Sequence, residues 1–233
     1  MARLLLVEDD RRIGSLVLTA LRDQGHEASW CETGRSAIAA ARAETLDLVL
    51  LDLGLPDIDG LEIVRRIRKE ATTPIVILSG RYDEREKVEA LELGADDYVT
   101  KPFSVDELNA RLRVALRHAG GPAADAGGRI VIGPLEFDAA RHEVRVAGLR
   151  VDLTPREFEI LRVLLAHPGR LVTKGRLLRA VWGEAYQGED SYVYVHVSQL
   201  RRKLAAADTE GRLRDLIVTE PGVGYRVRDR DPG

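Results

Sequence analysis

The sequence predicts two domains, a doubly wound α/β domain with a five-stranded parallel sheet and a smaller α+β domain that follows it. In the first half, short apolar runs alternate five times with helical patterns, which is typical of a parallel sheet with helices on both faces. Residues 48–51 form a continuous apolar run, the pattern of a strand that is buried on both faces. A Gly- and Ala-rich stretch then separates this half from a second half with a different pattern.

The length and charge of the chain support two domains. Its 233 residues suffice for two separate cores. Residues 119–128 show no periodicity and predict a flexible linker between domains at residues 1–118 and 129–229. The first half is net acidic and the second slightly basic, which indicates different partners for the two halves.

The composition also indicates a cellular compartment. No apolar run approaches the roughly 20 residues that are needed to cross a bilayer, and the N-terminus predicts a strand rather than a signal peptide. Cys31 is the single cysteine, which excludes an internal disulfide and fits a reducing compartment. We therefore expect a cytoplasmic protein without a membrane partner.

The elements of the first domain follow from apolar periodicity and from the residues that interrupt it. Apolar runs predict five strands, at residues 4–7, 28–30, 48–51, 75–78 and 98–99. Apolar residues at helical spacing predict five helices between and after these strands. The helices are expected at residues 13–21, 36–43, 61–72, 88–93 and 105–116.

Polar side chains follow four of the predicted strands. The first strand leads to Glu8 and Asp9, the third to Asp52, the fourth to Ser79 and the fifth to Lys101. Because the carboxyl ends of parallel strands meet at one edge of a doubly wound sheet, we expect these groups to lie together. Each has an ordinary alternative, such as capping the next helix, but four suitable strand ends favour a shared site.

The residue types at these strand ends indicate a chemistry. Three clustered carboxylates repel one another unless a divalent cation joins them, and oxygen ligands favour Mg²⁺. A hydroxyl and an ammonium on the opposite side could hold phosphoryl oxygens. The pattern therefore predicts phosphoryl transfer onto a carboxylate.

Motifs at residues 7–10, 51–56, 78–79, 94–98 and 101–103 carry a resemblance that covers the whole first half. In this order and spacing they resemble the receiver domain of two-component response regulators. The resemblance implies that a sensor histidine kinase phosphorylates Asp52, that Ser79 and Lys101 contact the phosphoryl oxygens, and that Lys101–Pro102 is a cis peptide. It further implies that Tyr98 is an aromatic switch residue. It also implies a Mg²⁺ site made by Glu8, Asp9, Asp52 and the backbone carbonyl of Gly54.

Two family positions, held here by Gly54 and Arg81, bear on the lifetime of the phosphorylated form. Ser79 stands where threonine is frequent in this family and preserves the hydroxyl. Gly54 places no side chain beside the phosphorylated carboxylate, and Arg81 lies two residues beyond the hydroxyl residue. In the family these last two positions tune dephosphorylation.

Six charged residues near the end of the first domain match positions through which receivers of the OmpR/PhoB family form dimers. They are ordinarily solvated charges, each of little consequence for stability. A two-fold interface needs self-complementary pairs, and the resemblance supplies three of them. We expect phosphorylation-strengthened dimers with the cross-subunit pairs Lys87–Glu107, Glu92–Arg113 and Asp97–Arg111.

The second domain has the element order of a winged helix-turn-helix. Short strands at residues 129–132, 135–137, 143–146 and 149–152 predict a small antiparallel sheet. Thr154 and Glu157 predict a capping box at the start of the first helix, and Thr173 caps the second. A third helix at about residues 191–204 and a hairpin of residues 216–219 and 225–227 complete the order.

The third helix has the composition of a DNA-recognition helix. Its apolar residues face a core, and it lacks acids as far as Lys203, which suits insertion into a major groove. Glutamine can read adenine there and arginine can read guanine, while other residues hold phosphates. A basic surface helix is the alternative. The residues expected on its exposed arc are Tyr194, Ser198, Gln199, Arg201, Arg202 and Lys203.

Motifs at residues 153–158, 195–204 and 222–226 resemble the effector domain of the OmpR/PhoB family. The resemblance implies binding to a direct repeat in promoter DNA. His196 is expected to be a packing or phosphate-contact residue rather than a metal ligand, because none of the five histidines forms a ligand cluster. The resemblance also implies that residues 182–190 touch RNA polymerase. Pro221 stands where the wing often has arginine, so a minor-groove contact either is absent or passes to Arg226 or Arg228. Further stretches resemble potassium-responsive members of the family.

Two other functions fit parts of the sequence. A phosphatase or phosphotransferase of the aspartyl-phosphate class would need a further general acid and a substrate cap, and neither is evident. We therefore expect a protein that is not an enzyme. An atypical regulator that binds DNA without phosphorylation is the other alternative, and the intact Asp9, Asp52 and Lys101 argue against it.

Overall fold

A parallel sheet of five strands forms the centre of the first of two units. The computed structural model describes residues 1–80, 83–119 and 128–228, with side chains at 117–119 excepted, and separates the chain into Met1–Gly120 and Gly121–Gly233. In the first unit the strand order is β2-β1-β3-β4-β5, and every pairing is parallel, as predicted. The strands are β1 Arg3–Val7, β2 Glu27–Cys31, β3 Leu48–Asp52, β4 Ile75–Ser79 and β5 Asp97–Thr100.

Five helices connect and follow these strands, which confirms the predicted alternation. Each begins within five residues of its predicted start, and α1 is capped by Asp10, whose carboxylate accepts hydrogen bonds from the backbone N–H groups of Arg12 and Ile13. The acid that caps this helix is therefore Asp10, the residue after Glu8 and Asp9. The helices are α1 Arg11–Asp23, α2 Gly34–Ala43, α3 Gly60–Glu70, α4 Glu84–Glu92 and α5 Val105–Ala119.

The central strands are buried on both faces because helices cover both sides of the sheet. All five residues of β3 and all five of β4 are buried, which matches their continuous apolar runs. One core cluster joins β1 and β3 to α1 and α5 through side chains such as Leu6, Leu21 and Leu108. The carboxyl ends of the central strands are thereby held on a rigid frame.

The second unit begins with a four-stranded antiparallel sheet in the order β6-β7-β8-β9. Three helices follow, and a three-stranded sheet in the order β10-β12-β11 includes the terminal hairpin. The strands are β6 Ile130–Ile132, β7 Leu135–Asp138, β8 Glu143–Val146, β9 Leu149–Arg150, β10 Val172–Thr173, β11 Ile217–Glu220 and β12 Gly224–Val227. The helices are α6 Pro155–Leu165, α7 Lys174–Val181 and α8 Asp190–Ala207, with a short 3₁₀ helix at Glu184–Tyr186.

The predicted helix starts of the second unit are confirmed. Thr154 and Glu157 form the capping box of α6, and the Thr173 side chain accepts a hydrogen bond from the backbone of Arg176 at the start of α7. The sequence did not predict β10, because two residues are too few to show a period. Its contact with β12 is close, since a Cβ at Gly224 would lie 2.1 Å from the backbone oxygen of Val172.

Parts of the predicted linker and one predicted site residue fall outside the described residues. Helix α5 continues to Ala119, one residue into the predicted linker. Residues 120–127 of that linker and Arg81 lie outside the description. Among the residues that the structure describes, no helix combines the length and apolarity needed to cross a membrane.

Candidate functional site

Three carboxylates meet at the carboxyl edge of the parallel sheet. Glu8 and Asp9 follow β1, and Asp52 ends β3, the adjacent strand. One carboxylate oxygen from each lies within 4.8 Å of the others. Glu8 and Asp52 are buried, whereas Asp9 is exposed at the mouth of the site. The structure therefore brings together the three acids that the sequence placed at two separate strand ends.

Lys101 supplies a cation to this acidic cluster from the end of β5. Its Nζ lies 2.6 Å from Oε2 of Glu8 and 3.2 Å from Oδ2 of Asp52. The Lys101–Pro102 peptide bond is cis, as expected. The Lys101 backbone N–H donates a 2.6 Å hydrogen bond to the carbonyl of Ser79, which joins the ends of β4 and β5. Neighbouring strands thus hold the lysine against both buried carboxylates.

The charges of the cluster do not balance. Burial raises the pKa of Glu8 above its ordinary value of 4.5, the hydrogen bond from Lys101 lowers it, and the nearby Asp52 charge raises it again. When all three carboxyls are ionised, three negative charges face one ammonium. A divalent cation matches the remaining charge, and carboxylate oxygens are the ligands that Mg²⁺ prefers. The donor set therefore fits Mg²⁺.

Gly54 borders Asp52 without obstructing it. A Cβ built on Gly54 would lie 3.5 Å from Oδ2 of Asp52, which is an ordinary contact distance. The glycine itself is exposed. The backbone of this residue therefore passes close to the carboxylate, and the missing side chain leaves that flank of Asp52 open.

Ser79 and Tyr98 share a partner that the sequence did not reveal. Both hydroxyls donate 3.3 Å hydrogen bonds to Oε1 of Glu86, a half-buried residue in the first turn of α4. Tyr98 is almost fully buried, and Ser79 is buried at the end of β4. An acid in the first turn of an amphipathic helix is a common capping feature and gave no signal of this contact.

A second unpredicted contact supports the backbone beneath the acidic cluster. The indole Nε1 of Trp30, on β2, donates a 2.8 Å hydrogen bond to the backbone carbonyl of Glu8. Trp30 is separated from Glu8 by 22 positions and lies next to it only because β1 and β2 pair in parallel register. No local pattern in the sequence could have shown this pair.

The predicted dimer residues lie on α4, β5 and α5, and some of them pair within the single chain. Arg111 lies 3.3 Å from Asp97 and 3.1 Å from Glu107, measured between charged atoms. Glu92 and Arg113 are exposed. Lys87 lies 3.6 Å from Glu84. Asp97 is fully buried, so the structure places only the other five charges at least partly at the surface of these consecutive elements.

Helix α8 exposes a narrower stripe than the sequence predicted. Tyr194, Ser198 and Arg202 are exposed at a spacing of four residues, which places them on one face. Gln199 is 5% exposed, so its predicted place on the exposed arc is wrong. His196 is buried, its Nδ1 lies 2.8 Å from the backbone oxygen of Tyr192, and its ring packs edge-on to a tryptophan.

Two cations predicted on the exposed arc contact neighbouring elements instead. Arg201 donates hydrogen bonds of 3.1 and 2.7 Å to the backbone oxygen of Ile217, at the start of β11, and one of 2.7 Å to the Thr219 hydroxyl. Lys203 lies 2.6 Å from Oε2 of Glu157, which is fully buried at the start of α6. These contacts fix α8 against the hairpin and against α6.

Two further basic residues of the second unit, Arg226 and Lys174, are also paired. Arg226, on β12, lies 2.7 Å from Oε1 of Glu220 on β11. Lys174, at the start of α7, forms an ion pair with Asp190 and donates a 2.9 Å hydrogen bond to the Tyr194 hydroxyl. These two contacts raise the pKa of Lys174 far above its ordinary value, with the Asp190 contact as the larger cause.

Both halves of the chain match known domains. The response regulator receiver domain matches residues 4–113, and the C-terminal domain of transcriptional regulatory proteins matches residues 148–227. The transcriptional regulatory protein KdpE of Mycobacterium tuberculosis is 40% identical over 226 residues, covering 97% of this chain and 99% of that protein. The KDP operon transcriptional regulatory protein KdpE of Escherichia coli is 38% identical with the same coverage.

Other relatives and solved structures agree with this assignment. The sensory transduction protein RegX3 of Mycobacterium tuberculosis is 38% identical over 97% of this chain and 99% of its own. The structure of a RitR mutant covers 98% of this chain and 100% of its own at 26% identity and a TM-score of 0.77. The Thermotoga maritima OmpR/PhoB homologue DrrB has the same coverage at 30% identity and a TM-score of 0.51. The chain therefore belongs to the OmpR/PhoB-type two-component response regulators, with a receiver domain and a DNA-binding domain.

Proposed function

We propose that this regulator is a transcriptional switch in which phosphorylation of Asp52 controls binding to promoter DNA. The convergence of three carboxylates and Lys101 on one edge of the receiver carries the proposal. A carboxylate oxygen of Asp52 attacks the phosphorus of the phosphohistidine on a sensor kinase. An oxygen–phosphorus bond forms as the nitrogen–phosphorus bond breaks, and its electron pair returns to the kinase histidine.

The residues around Asp52 have distinct roles in this transfer. Lys101 is already 3.2 Å from Asp52 and stabilises negative charge on the phosphoryl oxygens. Ser79 contacts another phosphoryl oxygen once its hydroxyl leaves Glu86. Mg²⁺, when bound, offsets the carboxylate charge and polarises the phosphoryl group. The residues that would hold it are Glu8, Asp9, Asp52 and the backbone carbonyl of Gly54.

The readout surface for phosphorylation is the face formed by α4, β5 and α5. Tyr98 is on β5 and reaches Glu86 on α4, so a change at Ser79 passes to this face through two shared hydrogen bonds. We propose that the activated receivers then pair across a two-fold axis. The cross-subunit pairs are Lys87–Glu107, Glu92–Arg113 and Asp97–Arg111, the last of which replaces a pairing seen within one chain.

In the second unit, the exposed stripe of α8 enters the major groove. Tyr194, Ser198 and Arg202 present a ring, a hydroxyl and a guanidinium that can contact bases and phosphates. Arg201 and Lys203 maintain the helix in position through their internal contacts. Arg226, which must leave Glu220, and the exposed Arg228 remain the candidates for a wing contact. Two such domains in a dimer fit a direct-repeat site.

The wider assignment follows from the domain content. We propose domain limits at residues 1–118 and 129–229 and a cytoplasmic location. We also propose that residues 182–190 contact RNA polymerase. Potassium-transport genes are the proposed targets because of the similarity to the KdpE regulators. RegX3 proteins match at nearly the same identity, so a target test compares a potassium-transport promoter with unrelated promoters.

The decisive experiment measures DNA affinity and oligomeric state with and without Mg²⁺ and beryllofluoride, a phosphoryl mimic. The wild type should become a dimer and bind DNA at least tenfold more tightly when both are present. Asp52→Ala should show neither response. Equal binding by both proteins under all conditions would instead identify a regulator that does not use phosphorylation.

A charge exchange tests the proposed dimer surface separately. Arg113→Glu places two acids at one proposed cross-subunit pair and should prevent beryllofluoride-induced dimers, while phosphorylation of Asp52 continues. Adding Glu92→Arg reverses the pair and should restore the dimer. Both residues are exposed, so neither change should disturb folding. Sedimentation velocity provides the measurement, and failure of the double variant to recover would reject this interface.

A further inference from the structure

We propose that Trp30 is a positioning residue for the proposed Mg²⁺ ligands, acting through the backbone of Glu8. The inference rests on the proposed function, because it assigns Trp30 a role toward that site. The indole Nε1 donates a 2.8 Å hydrogen bond to the Glu8 carbonyl, and the ring lies half-buried against the core of the first unit. A tryptophan N–H in such a place needs a partner, and here the partner belongs to the acidic loop.

The hydrogen bond to the Glu8 carbonyl constrains the backbone direction of Asp9, the residue that follows. The oxygen of Glu8 is part of the planar peptide unit that joins Glu8 to Asp9. On the other side of Glu8, its backbone N–H donates a 3.0 Å hydrogen bond to the carbonyl of Cys31. Two successive residues of β2 therefore fix the peptide units before and after Glu8. The direction in which Asp9 leaves the sheet follows from this double constraint.

Such a constraint is needed because the strand pairing ends just before the site. The register between β1 and β2 stops at Val7 and Cys31, and β3 pairs with β1 no further than Val7. Glu8 is additionally held through its side chain by Lys101, whereas Asp9 is exposed. The hydrogen bond from Trp30 thus extends the support of the sheet by one peptide, to the exposed carboxylate.

Helix α1 is shaped to receive the indole. A Cβ at Gly14 would lie 2.3 Å from Cζ2 and 2.5 Å from Cε2 of Trp30, distances that no real side chain tolerates. A glycine inside a helix costs about 1 kcal/mol relative to alanine. The ring of Trp30 occupies the space that the absent side chain leaves. Two residues that are distant in sequence therefore specify the position of the indole.

The test measures the affinity of the full chain for Mg²⁺ alone by calorimetry. Trp30→Phe keeps an aromatic ring and removes the donor, and it should weaken Mg²⁺ binding about tenfold, as losses of outer hydrogen bonds at metal sites do. Ser29→Ala is the matched control. It removes another side-chain hydrogen bond from β2 to β1, of 3.4 Å to the carbonyl of Leu4, away from the site. Its Mg²⁺ affinity should equal that of the wild type.

Gly14→Ala provides a second variant that leaves Trp30 in the chain. The added methyl group displaces the indole and should weaken Mg²⁺ binding in the same direction. Helix propensity alone predicts the opposite tendency, a more stable α1 with an unchanged site. Circular dichroism establishes that each variant is folded. Unchanged Mg²⁺ affinity in folded Trp30→Phe or Gly14→Ala protein overturns the proposal.

A kinetic measurement separates positioning from general damage. The rate at which a small phosphodonor phosphorylates Asp52 is recorded against Mg²⁺ concentration. In Trp30→Phe the half-saturating concentration should rise about tenfold while the maximal rate is retained. A lower maximal rate with unchanged half-saturation would also overturn the proposal. Wild-type protein that binds no Mg²⁺ would instead overturn the proposed function itself.

Discussion

Two buried charge sites, one in each unit, are built in opposite ways. At the edge of the first sheet, Glu8 and Asp52 are buried beside Asp9, and Lys101 is the ammonium that contacts the two buried acids. In the second unit, the buried carboxylate of Glu157 has an ammonium of its own, from a lysine of α8. An unbalanced cluster favours binding of a further cation, whereas a matched pair fixes two elements together. The first arrangement indicates chemistry and the second indicates architecture.

The largest expected effect comes from breaking the matched pair. Lys203→Ala removes the ammonium beside the buried carboxylate of Glu157 and should lower the free energy of unfolding of the second unit by about 3 kcal/mol. Urea unfolding reports this through Trp182, in a background in which Trp30 is replaced by phenylalanine. Arg202→Ala, one position away and exposed, is the control and should change stability by less than about 0.5 kcal/mol. Equal losses would contradict the architectural role of Lys203.

Removing a charge from the unbalanced cluster should instead raise the free energy of unfolding. Because burial raises the pKa of Glu8, the folded receiver binds more protons than the unfolded chain, and its stability falls as the pH rises above 4.5 through the raised value. Glu8→Gln removes this dependence. Without Mg²⁺ the variant should be more stable than the wild type at pH 8, by about 1 kcal/mol, and lose that advantage at pH 4. Urea unfolding, followed by the fluorescence of Trp30 in a background with Trp182 replaced by phenylalanine, measures the stability of both proteins. The same stability difference between variant and wild type at both pH values would reject the explanation.

A smaller effect is expected on DNA binding from the exposed stripe. Arg202→Ala should reduce DNA affinity about fivefold, or about 1 kcal/mol, and lower the slope of affinity against salt by about 1 if the guanidinium contacts a phosphate. Fluorescence anisotropy at several salt concentrations provides both quantities. Arg141→Ala, an exposed arginine between β7 and β8, should change neither. An unaffected Arg202→Ala protein would remove this residue from the DNA interface.

The smallest effect should come from Glu86, the acid that contacts the proposed switch residues Ser79 and Tyr98. Glu86→Ala releases the hydroxyls of Ser79 and Tyr98 from their common acceptor. Because each hydrogen bond is long, the unphosphorylated protein should gain no more than about threefold in DNA affinity. Glu89→Ala, an exposed acid of the same helix, is the control. A loss of affinity in Glu86→Ala would show that the carboxylate supports the active form instead.

Sequence patterns predicted the sheet and the residues at its edge because both depend on short-range regularities. The apolar runs of β3 and β4 reflect burial on both faces, and the direction of a parallel strand determines where its last residue lies. Asp52 and Lys101 could therefore be placed near each other without coordinates. The capping box of the second unit is equally local, since Thr154 and Glu157 are three residues apart.

Two of the features that the sequence missed, the Lys203–Glu157 contact and the burial of Gln199, depend on packing between elements that are far apart in the chain. Lys203 and Glu157 are separated by 46 positions, and no periodicity relates them. Gln199 was expected at the surface because a helical wheel shows which residues share a face. It does not show how many faces are covered, and α8 packs against both α6 and α7. A single sequence shows which residues share a helix face, but it does not show how much of the helix circumference neighbouring elements cover.

The separation of tasks along α8 has a consequence for evolution and engineering. Tyr194, Ser198 and Arg202 form the exposed stripe, whereas Arg201 and Lys203 anchor the helix to the hairpin and to α6. Under the proposed DNA-binding role, exchanging the three stripe residues should change the operator preference, while the two anchors preserve the scaffold. Related regulators that share one fold can diverge in their target genes by this route, and a chimeric stripe transplanted from a relative should redirect the protein without refolding it.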